Sequence, residues 1–516
     1  MTTTLTVTET STETSTETST VGPMGGLAKR VPADVRLLCQ TLRDAGWRAW
    51  IVGGCTRDIL LGRDLHDWDL STDARPDDVV SLFRRVIPTG IRHGTVTVML
   101  RGTGYEVTTL RGDGTYSDGR HPDDVVFVDD LEQDLARRDF TVNAIAFDPL
   151  DGSWTDPFGG CRDLEGRLIR AVGNPRDRFQ EDGLRILRAA RFAATLGFSL
   201  DPVTMEAMTD SASRLACVSC ERVRDEVFKT LGAPKPSSGF RVMQAADMLA
   251  HVLPEALPSI GCEQNRYHEY DVWDHTLETV DACRPDLVLR LVMLLHDLGK
   301  PSVRGWNDKT QDFTFYHHED VSADLAEQIA MRLRFPGDLR RRLVHLIRHH
   351  LILYDPSWTA SALRRWVQRV GSDHVDDLLE MARADAIGKG GKACDTLERV
   401  ACLQRQLENH CTPDTALSLR DLAVDGNDLI RVLGLAPGPV VGKVLAHLLS
   451  LVLEDPAVNN SDALLNAARS YVAGAPSGAP TGAPTGVAPS CESRPVEPRR
   501  SLCSDGANRE CGLSDP

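Results

Sequence analysis

Residues 137–144 read Arg137-Arg138-Asp139-Phe140-Thr141-Val142-Asn143-Ala144. Two guanidinium groups and a carboxylate run directly into an apolar stretch, which by itself fits a charged turn entering a buried strand. Upstream stand Gly53-Gly54-Cys55-Thr56-Arg57-Asp58 and then Asp67-Trp68-Asp69. Downstream stands Glu181-Asp182-Gly183-Leu184-Arg185-Ile186-Leu187-Arg188-Ala189-Ala190-Arg191-Phe192. A glycine turn, paired carboxylates, an arginine pair and a charged helix, in that order, are the parts needed to handle a nucleoside triphosphate.

The chain around these stretches divides by periodicity. Trp50-Ile51-Val52 runs into Gly53-Gly54, and 94–100 and 105–109 are rich in β-branched residues, so the first part mixes strands and helices. From about residue 175 helical spacing dominates and strand signals nearly vanish. Gly53 and Gly54 let backbone N–H groups approach a phosphate, and the helix-compatible run Thr56 to Leu61 adds positive potential at its start. Arg57 adds a charged donor. In an extended segment residues two apart share a face, so Asp67 and Asp69 both face one spot. They repel there unless a cation sits between them, and Mg2+ takes one or two carboxylates plus phosphate oxygens. Glu106 is either a third carboxylate of that set or an exposed strand residue.

On a helix Glu181, Arg185, Arg188 and Phe192 share one face, with Asp182 beside Arg185 at i, i+3. A carboxylate acceptor next to a guanidinium fork can satisfy the Watson–Crick edge of cytosine or adenine. The same charges on a solvated amphipathic helix are the plainer reading.

Taken together, these stretches resemble the class II tRNA nucleotidyltransferase and bacterial poly(A) polymerase family, within the superfamily that includes DNA polymerase β. Residues 137–144 match its RRDFTxNA motif without a gap, Asp156 to Leu164 match its hinge element, 181–185 match its EDxxR element, and Glu221 to Glu226 resemble its last motif. The resemblance implies Mg2+ at Asp67 and Asp69, with Glu106 as the third candidate. It implies nucleotide contacts from Gly53, Gly54, Arg57, Arg138 and Asp139. It gives Asp182 and Arg185 the base edge of CTP or ATP, with Arg188 and Arg191 as nearby cations. The reaction would be in-line attack by a tRNA 3′-hydroxyl on the α-phosphate, with pyrophosphate leaving. Residues 90–96, Gly90-Ile91-Arg92-His93-Gly94-Thr95-Val96, look like the CCA-adding branch, and Tyr116 to Pro122 resemble the flexible loop of CCA- and A-adding enzymes. A poly(A) polymerase is the first rival.

A second constellation begins at His296-Asp297-Leu298-Gly299-Lys300, after the apolar run Leu287 to Leu295. Residues 265–390 resemble the HD-superfamily phosphohydrolases. That resemblance implies a divalent metal, transition metals included because imidazoles suit them. Its ligands would be His275, His296, Asp297 and Asp385, with His318 and His350 at a second metal position. At His317-His318 and His349-His350 either neighbour fits. Hydrolysis of 2′,3′-cyclic phosphates or phosphomonoesters is the implied activity. A metal phosphohydrolase whose head only binds RNA is the second rival.

The expected fold is α+β and multidomain. A DNA polymerase β-like α/β head (29–170) precedes an all-α neck (171–260), an all-α HD domain (261–400) and a helical tail (401–472). The Thr/Ser/Glu-rich start (1–28) and the Gly/Ala/Pro/Thr-rich end (473–516) read as disordered. A formal charge of -16 excludes a uniformly basic nucleic-acid coater, so RNA would need a local basic surface. Thirteen scattered cysteines, with Cys217 and Cys220 the one close pair, lack framework spacing and fit reduced thiols in a cytoplasm. No run reaches membrane-spanning length. The expected partners are tRNA, CTP and ATP.

Overall fold

The computed structural model describes residues 30–63, 65, 67–112, 126–392, 394–411 and 415–474. The Tyr116 to Pro122 loop lies outside them, as does nearly all of both polar ends; the last helix, Ser461–Gly474, reaches two residues into the C-terminal one.

The head is built on one seven-stranded sheet: β1 Ala49–Val52, β2 Asp69–Thr72, β3 Val86–Gly90, β4 Thr95–Leu100, β5 Thr103–Thr109, β6 Ala146–Phe147 and β7 Trp154–Thr155. Their order is β3-β4-β5-β2-β1-β6-β7. Only β2 and β5 pair in parallel, with Asp69 opposite Glu106. The period of two sorts the side chains. Ile51, Leu70, Val96, Val98 and Val107 pack with Val35, Leu38 and Leu42 of the Ala33–Asp44 helix. Trp50, Val52 and Leu110 pack on the other face with Leu131 and Leu135. Since Leu70 and Val107 take the first face, Asp69 and Glu106 are left on the second.

Helices dominate after residue 170, as the periodicity predicts, with two exceptions. Leu168–Ile169 pairs with Ser199–Leu200, and Gly305–Asn307 forms a hairpin with Asp312–Thr314 inside the expected all-α HD region. The apolar helix spans Leu287–Leu295, as read from the sequence. The neck differs. One helix ends at Glu181, Asp182 is extended, and a new helix runs Leu184–Phe192. Gly183 marks the break because a Cβ there would stand 2.7 Å from the Arg214 carbonyl oxygen. A continuous helix from Glu181 is therefore replaced by two helices with a kink between them.

Phe140, the neck helices and the HD helices share one apolar cluster that extends to Leu407. These residues belong to a unit made, among the described residues, of 30–421 and 449–457. The described residues of 422–448 and 458–474 make a second, smaller unit, in which Leu429, Val444, Leu464 and Ala468 are buried.

Candidate nucleotide site and histidine–aspartate cluster

Asp69 opens β2 and sits across from Glu106, while Asp67 lies in the loop just before the strand and not on it. All three residues are exposed to solvent. The surrounding protein still withholds water from Asp69, and that loss of hydration, then the Glu106 and Asp67 charges, raises its carboxyl above the usual range; Arg138 pulls the other way. Asp67, Asp69 and Glu106 are not among the groups of described residues whose ligand atoms lie within 4.8 Å of one another, but like charge gathered at Asp69 is what a divalent cation relieves. The all-oxygen donor set suits Mg2+, which keeps room for phosphate oxygens.

Arg138 reaches this spot under tight control. Its Nη1 stands 3.0 Å from where a Cβ on Gly53 would be, and Asp69 Oδ2 is 3.8 Å from the same point. Gly53, with φ +77, leaves that space open and turns the chain from β1 into the Gly54–Leu60 helix. The buried Asp134 carboxylate holds Arg138 from below at 3.2 Å and Arg137 at 2.6 Å. Burial opposes the Asp134 charge, but the two guanidinium groups keep its carboxyl below the usual range. Sequence reasoning passed over Asp134; its only signal was an acid four residues before Arg138.

The remaining charged residues form a chain into the neck. Arg57 is buried, donating to Asn143 Oδ1 at 2.7 Å and pairing with Asp58 at 2.8 Å. Asp139 accepts from Asn143 Nδ2 at 2.9 Å and from Arg188 Nε at 2.7 Å. Its burial is outweighed by the Arg188 charge and these bonds, and its carboxyl is held at about 2. Arg191 pairs with the buried Glu226 at 2.7 Å and lies over the Phe192 ring.

Asp182 and Arg185 are neighbours that do not pair with each other. Arg222 grips Asp182 through two nitrogens, at 3.2 and 2.7 Å. Arg185 Nη1 donates to Glu181 at 2.5 Å and to the Arg178 carbonyl, and Nη2 to the Arg137 carbonyl. That leaves Arg185 its Nε–H and one Nη2–H for a ligand. Arg222 was read as part of a structural motif; the kink at Asp182 is what brings the two together.

The second constellation closes on itself. His275, His296, Asp297 and Asp385 form one group, and Asp297, His318 and His350 another, with ligand atoms in each lying within 4.8 Å of one another. Asp297 is the shared member. Its Oδ2 faces His275 Nε2 at 3.4 Å and His296 Nε2 at 3.2 Å. Its Oδ1 faces His318 Nε2 at 3.3 Å and His350 Nε2 at 4.0 Å. Asp385 Oδ1 stands 3.1 Å from His275 Nε2. At both ambiguous pairs it is the second histidine that turns inward, while His317 is exposed and His349 half-buried.

The imidazoles are oriented from behind. His296, His318 and His350 each place Nδ1 2.7 Å from a backbone carbonyl three residues earlier, so Nδ1 donates and Nε2 is directed at the cluster. Metal-binding histidines are commonly fixed this way. His296 Nε2 and Asp297 Oδ2 are cut off from solvent without a well-formed hydrogen bond, although they meet as charges. Burial works against a proton on His296, yet the Asp297 carboxylate raises it to about 9; burial and the His296 charge push His350 down to about 3. Lys300 lies 2.7 Å from Asp297 Oδ2 and Lys389 2.5 Å from Asp385 Oδ2. Buried ligand atoms of N and O type, held without full partners, fit a divalent metal.

Known proteins align with this arrangement along most of the chain. Residues 49–170 match the poly A polymerase head domain, 197–259 the "Probable RNA and SrmB- binding site of polymerase A", and 315–468 a tRNA nucleotidyltransferase domain 2. The chain is 33% identical over 441 residues to the CCA-adding enzyme of Levilactobacillus brevis, covering 84% of this chain and 96% of that one. It is 34% identical over 424 residues to the CCA-adding enzyme of Lactobacillus johnsonii, covering 82% and 93%. Among solved structures, the Bacillus stearothermophilus CCA-adding enzyme in complex with CTP superposes with a TM-score of 0.65 at 28% identity, covering 88% of this chain and 99% of that one. The fold is also that of a Thermotoga maritima CCA-adding enzyme complexed with tRNA, at 20% identity and a TM-score of 0.53, covering 86% and 97%.

Proposed function

The chain belongs to the family of CCA-adding enzymes, and we propose that it adds C, C and A to the 3′ end of tRNA from CTP and ATP without a nucleic-acid template. The observation that carries this reading is the approach of Arg138 and Asp69 to Gly53, with Glu106 opposite Asp69 on the neighbouring strand. Asp67 and Asp69, with Glu106 beside them, would hold Mg2+, which when bound lowers the barrier by neutralising charge on the phosphates and the attacking oxygen. Arg138, fixed by Asp134, draws the triphosphate to these carboxylates. Asp139 ties this motif to Arg188 and so fixes the neck helix relative to the head. The site is cytosolic on this reading: the nine cysteines whose side chains are described are free thiols, and among the described residues no helix is long and apolar enough to cross a membrane.

The reading is tested by transcripts that end before CCA, after C and after CC, each given CTP and ATP together and separately. CMP should enter the first two and AMP the third, with no long A tails. Runs of AMP without CMP would instead make the chain a poly(A) polymerase.

Base choice is assigned to Asp182 and Arg185. Arg222 holds the Asp182 carboxylate at the kink, and Arg185 retains its Nε–H and one Nη2–H. Asp182→Ala should blur discrimination among the four triphosphates, because UTP and GTP offer the wrong donor pattern. A lost charge-assisted hydrogen bond costs about 1.5–3 kcal/mol, roughly ten- to a hundredfold in relative kcat/KM. Arg222→Ala, which frees the carboxylate without removing it, should have the smaller effect. Unchanged selectivity with a lower melting temperature would make Asp182 a structural residue.

A second activity is supported by the convergence of His275, His296, Asp297, His318, His350 and Asp385. These residues, with Asp297 common to both groups, would hold divalent metal, which when bound would supply a water nucleophile and a Lewis acid for phosphate-ester hydrolysis. The chain's own contribution is orientation: three carbonyls fix the imidazoles, and Lys300 and Lys389 brace the two carboxylates. The expected substrates are 2′,3′-cyclic phosphates or phosphomonoesters.

A further inference from the structure

The loop 261–271 reaches the elements that surround the histidine–aspartate cluster. Gln264 Oε1 accepts from Lys300 Nζ at 2.7 Å. Arg266 donates to Asp312 at 2.8 Å and to the Thr310 carbonyl, clamping the 305–314 hairpin. His268 packs edge-on against His275, with ring centroids 5.0 Å apart. Glu269 Oε2 accepts from Gly391 N at 2.9 Å, two residues past Lys389. The buried cluster reaches solvent through Asp385 and Lys389, whose side chains are 23% and 19% exposed.

These same segments carry aromatic side chains that nothing in the fold covers. Tyr267 is 64% exposed, between Arg266 and His268. Trp306 is 53% exposed on the hairpin, edge-on to Phe313, which itself lies under Arg304. Tyr316 is 70% exposed, between Phe315, whose ring faces Lys300, and the His317-His318 pair. Aromatic rings this exposed, on segments adjoining a polar site, offer faces on which a base can stack. Two ammonium groups lie inside, beside the carboxylates, and three aromatic faces lie outside. Cations that track phosphate, interleaved with aromatics on which bases stack, are the pattern of single-stranded nucleic-acid binding.

We propose that Tyr267, Trp306 and Tyr316 form a stacking collar for the last bases of a single-stranded RNA, whose phosphorylated 3′ end enters between Lys300 and Lys389. Three faces on three segments exceed what one base needs, which favours an RNA end over a free nucleotide. The inference rests on the cluster being a phosphohydrolase. In the reaction used as readout, the oxygen of water bonds to phosphorus, one P–O bond of the 2′,3′-cyclic phosphate breaks, and the proton passes to the released ribose hydroxyl.

The test measures KM and kcat of the full chain, supplied with Ni2+ or Mn2+, on three esters: a short oligoribonucleotide ending in a 2′,3′-cyclic phosphate, the matching mononucleotide, and methylribose 2′,3′-cyclic phosphate, which has no base. Tyr267→Ala, Trp306→Ala and Tyr316→Ala combined should raise KM for the oligonucleotide by about tenfold or more. Its kcat, and both constants for the baseless ester, should stay near wild type, and Tyr316→Phe should restore stacking. An unchanged oligonucleotide KM overturns the collar while leaving the hydrolase reading intact. A mononucleotide KM that shifts as far as the oligonucleotide's overturns the RNA end as occupant. If the wild type hydrolyses none of the three, the hydrolase reading falls and the collar with it.

Discussion

Asp69→Asn should lose almost all nucleotide addition, about a thousandfold or more, while the protein becomes no less stable. The first half follows from a metal's share of transition-state stabilisation, several kcal/mol, which converts to about that factor in rate. The second half follows from charge. The Asp69 carboxyl is raised in the folded state by lost hydration and by Glu106 and Asp67. An acid whose folded pKa lies above its unfolded one costs stability at neutral pH. Neutral Asn removes that cost, keeps the shape and leaves Arg138 its bond to Asp134. Activity lost with an unchanged or higher melting temperature is the signature of a site that trades stability for function. Glu106→Gln should show the same pattern with a smaller loss in rate. Addition by Asp69→Asn within tenfold of wild type, or a melting temperature several degrees lower, would count against the metal assignment.

The parts legible in the sequence are those fixed by a local period or by a motif without gaps. Strand alternation puts Asp69 beside Glu106 once β2 and β5 pair, and the residues of the histidine–aspartate cluster followed from the resemblance to the HD superfamily, with the choice within His317-His318 and His349-His350 left open. Less legible was which charge meets which. Arg57, expected as a phosphate donor, spends its guanidinium on Asn143 and Asp58. Asp182 meets Arg222, 40 residues away, and not Arg185 at i, i+3. Charged side chains are long, and their partners are set by tertiary approach, which helix spacing does not encode. The kink at Gly183 has the same origin: a single glycine in a helical pattern gives no notice that the Arg214 backbone will press against it. The 305–314 hairpin was missed because three-residue strands are too short to show a period, although Asn307-Asp308 signals its turn.

His296→Ala should abolish phosphate-ester hydrolysis and lower the bound transition metal, while CCA addition continues near the wild-type rate. The two sites share no ligand: Asp69 and Glu106 stand on the central strands β2 and β5 of the head sheet, with Asp67 in the loop before β2, and His296 follows the Leu287–Leu295 helix. Their chemistries also differ. Imidazole nitrogens select for metals that carboxylates alone hold weakly, so a chelator selective for transition metals should silence hydrolysis before it slows addition. The readouts are metal content by mass spectrometry, hydrolysis of 2′,3′-cyclic nucleotides and of p-nitrophenyl phosphate, and addition to a transcript lacking CCA. His296 is buried between Leu295 and Leu298, which belong to the same apolar cluster as the neck, so its loss carries a risk to folding. His318→Ala, on another helix, with its Nε2 3.3 Å from Asp297 Oδ1, supplies a second variant. It should lower the bound metal and cut hydrolysis by at least about a hundredfold, since even an outer-shell partner of a metal ligand is worth about ten- to a hundredfold. Absence of hydrolysis with every divalent metal would make the cluster a scaffold. Equal loss of both activities in the two variants, with folding intact, would mean that these helices help to hold the tRNA, and the separation of the sites would be wrong.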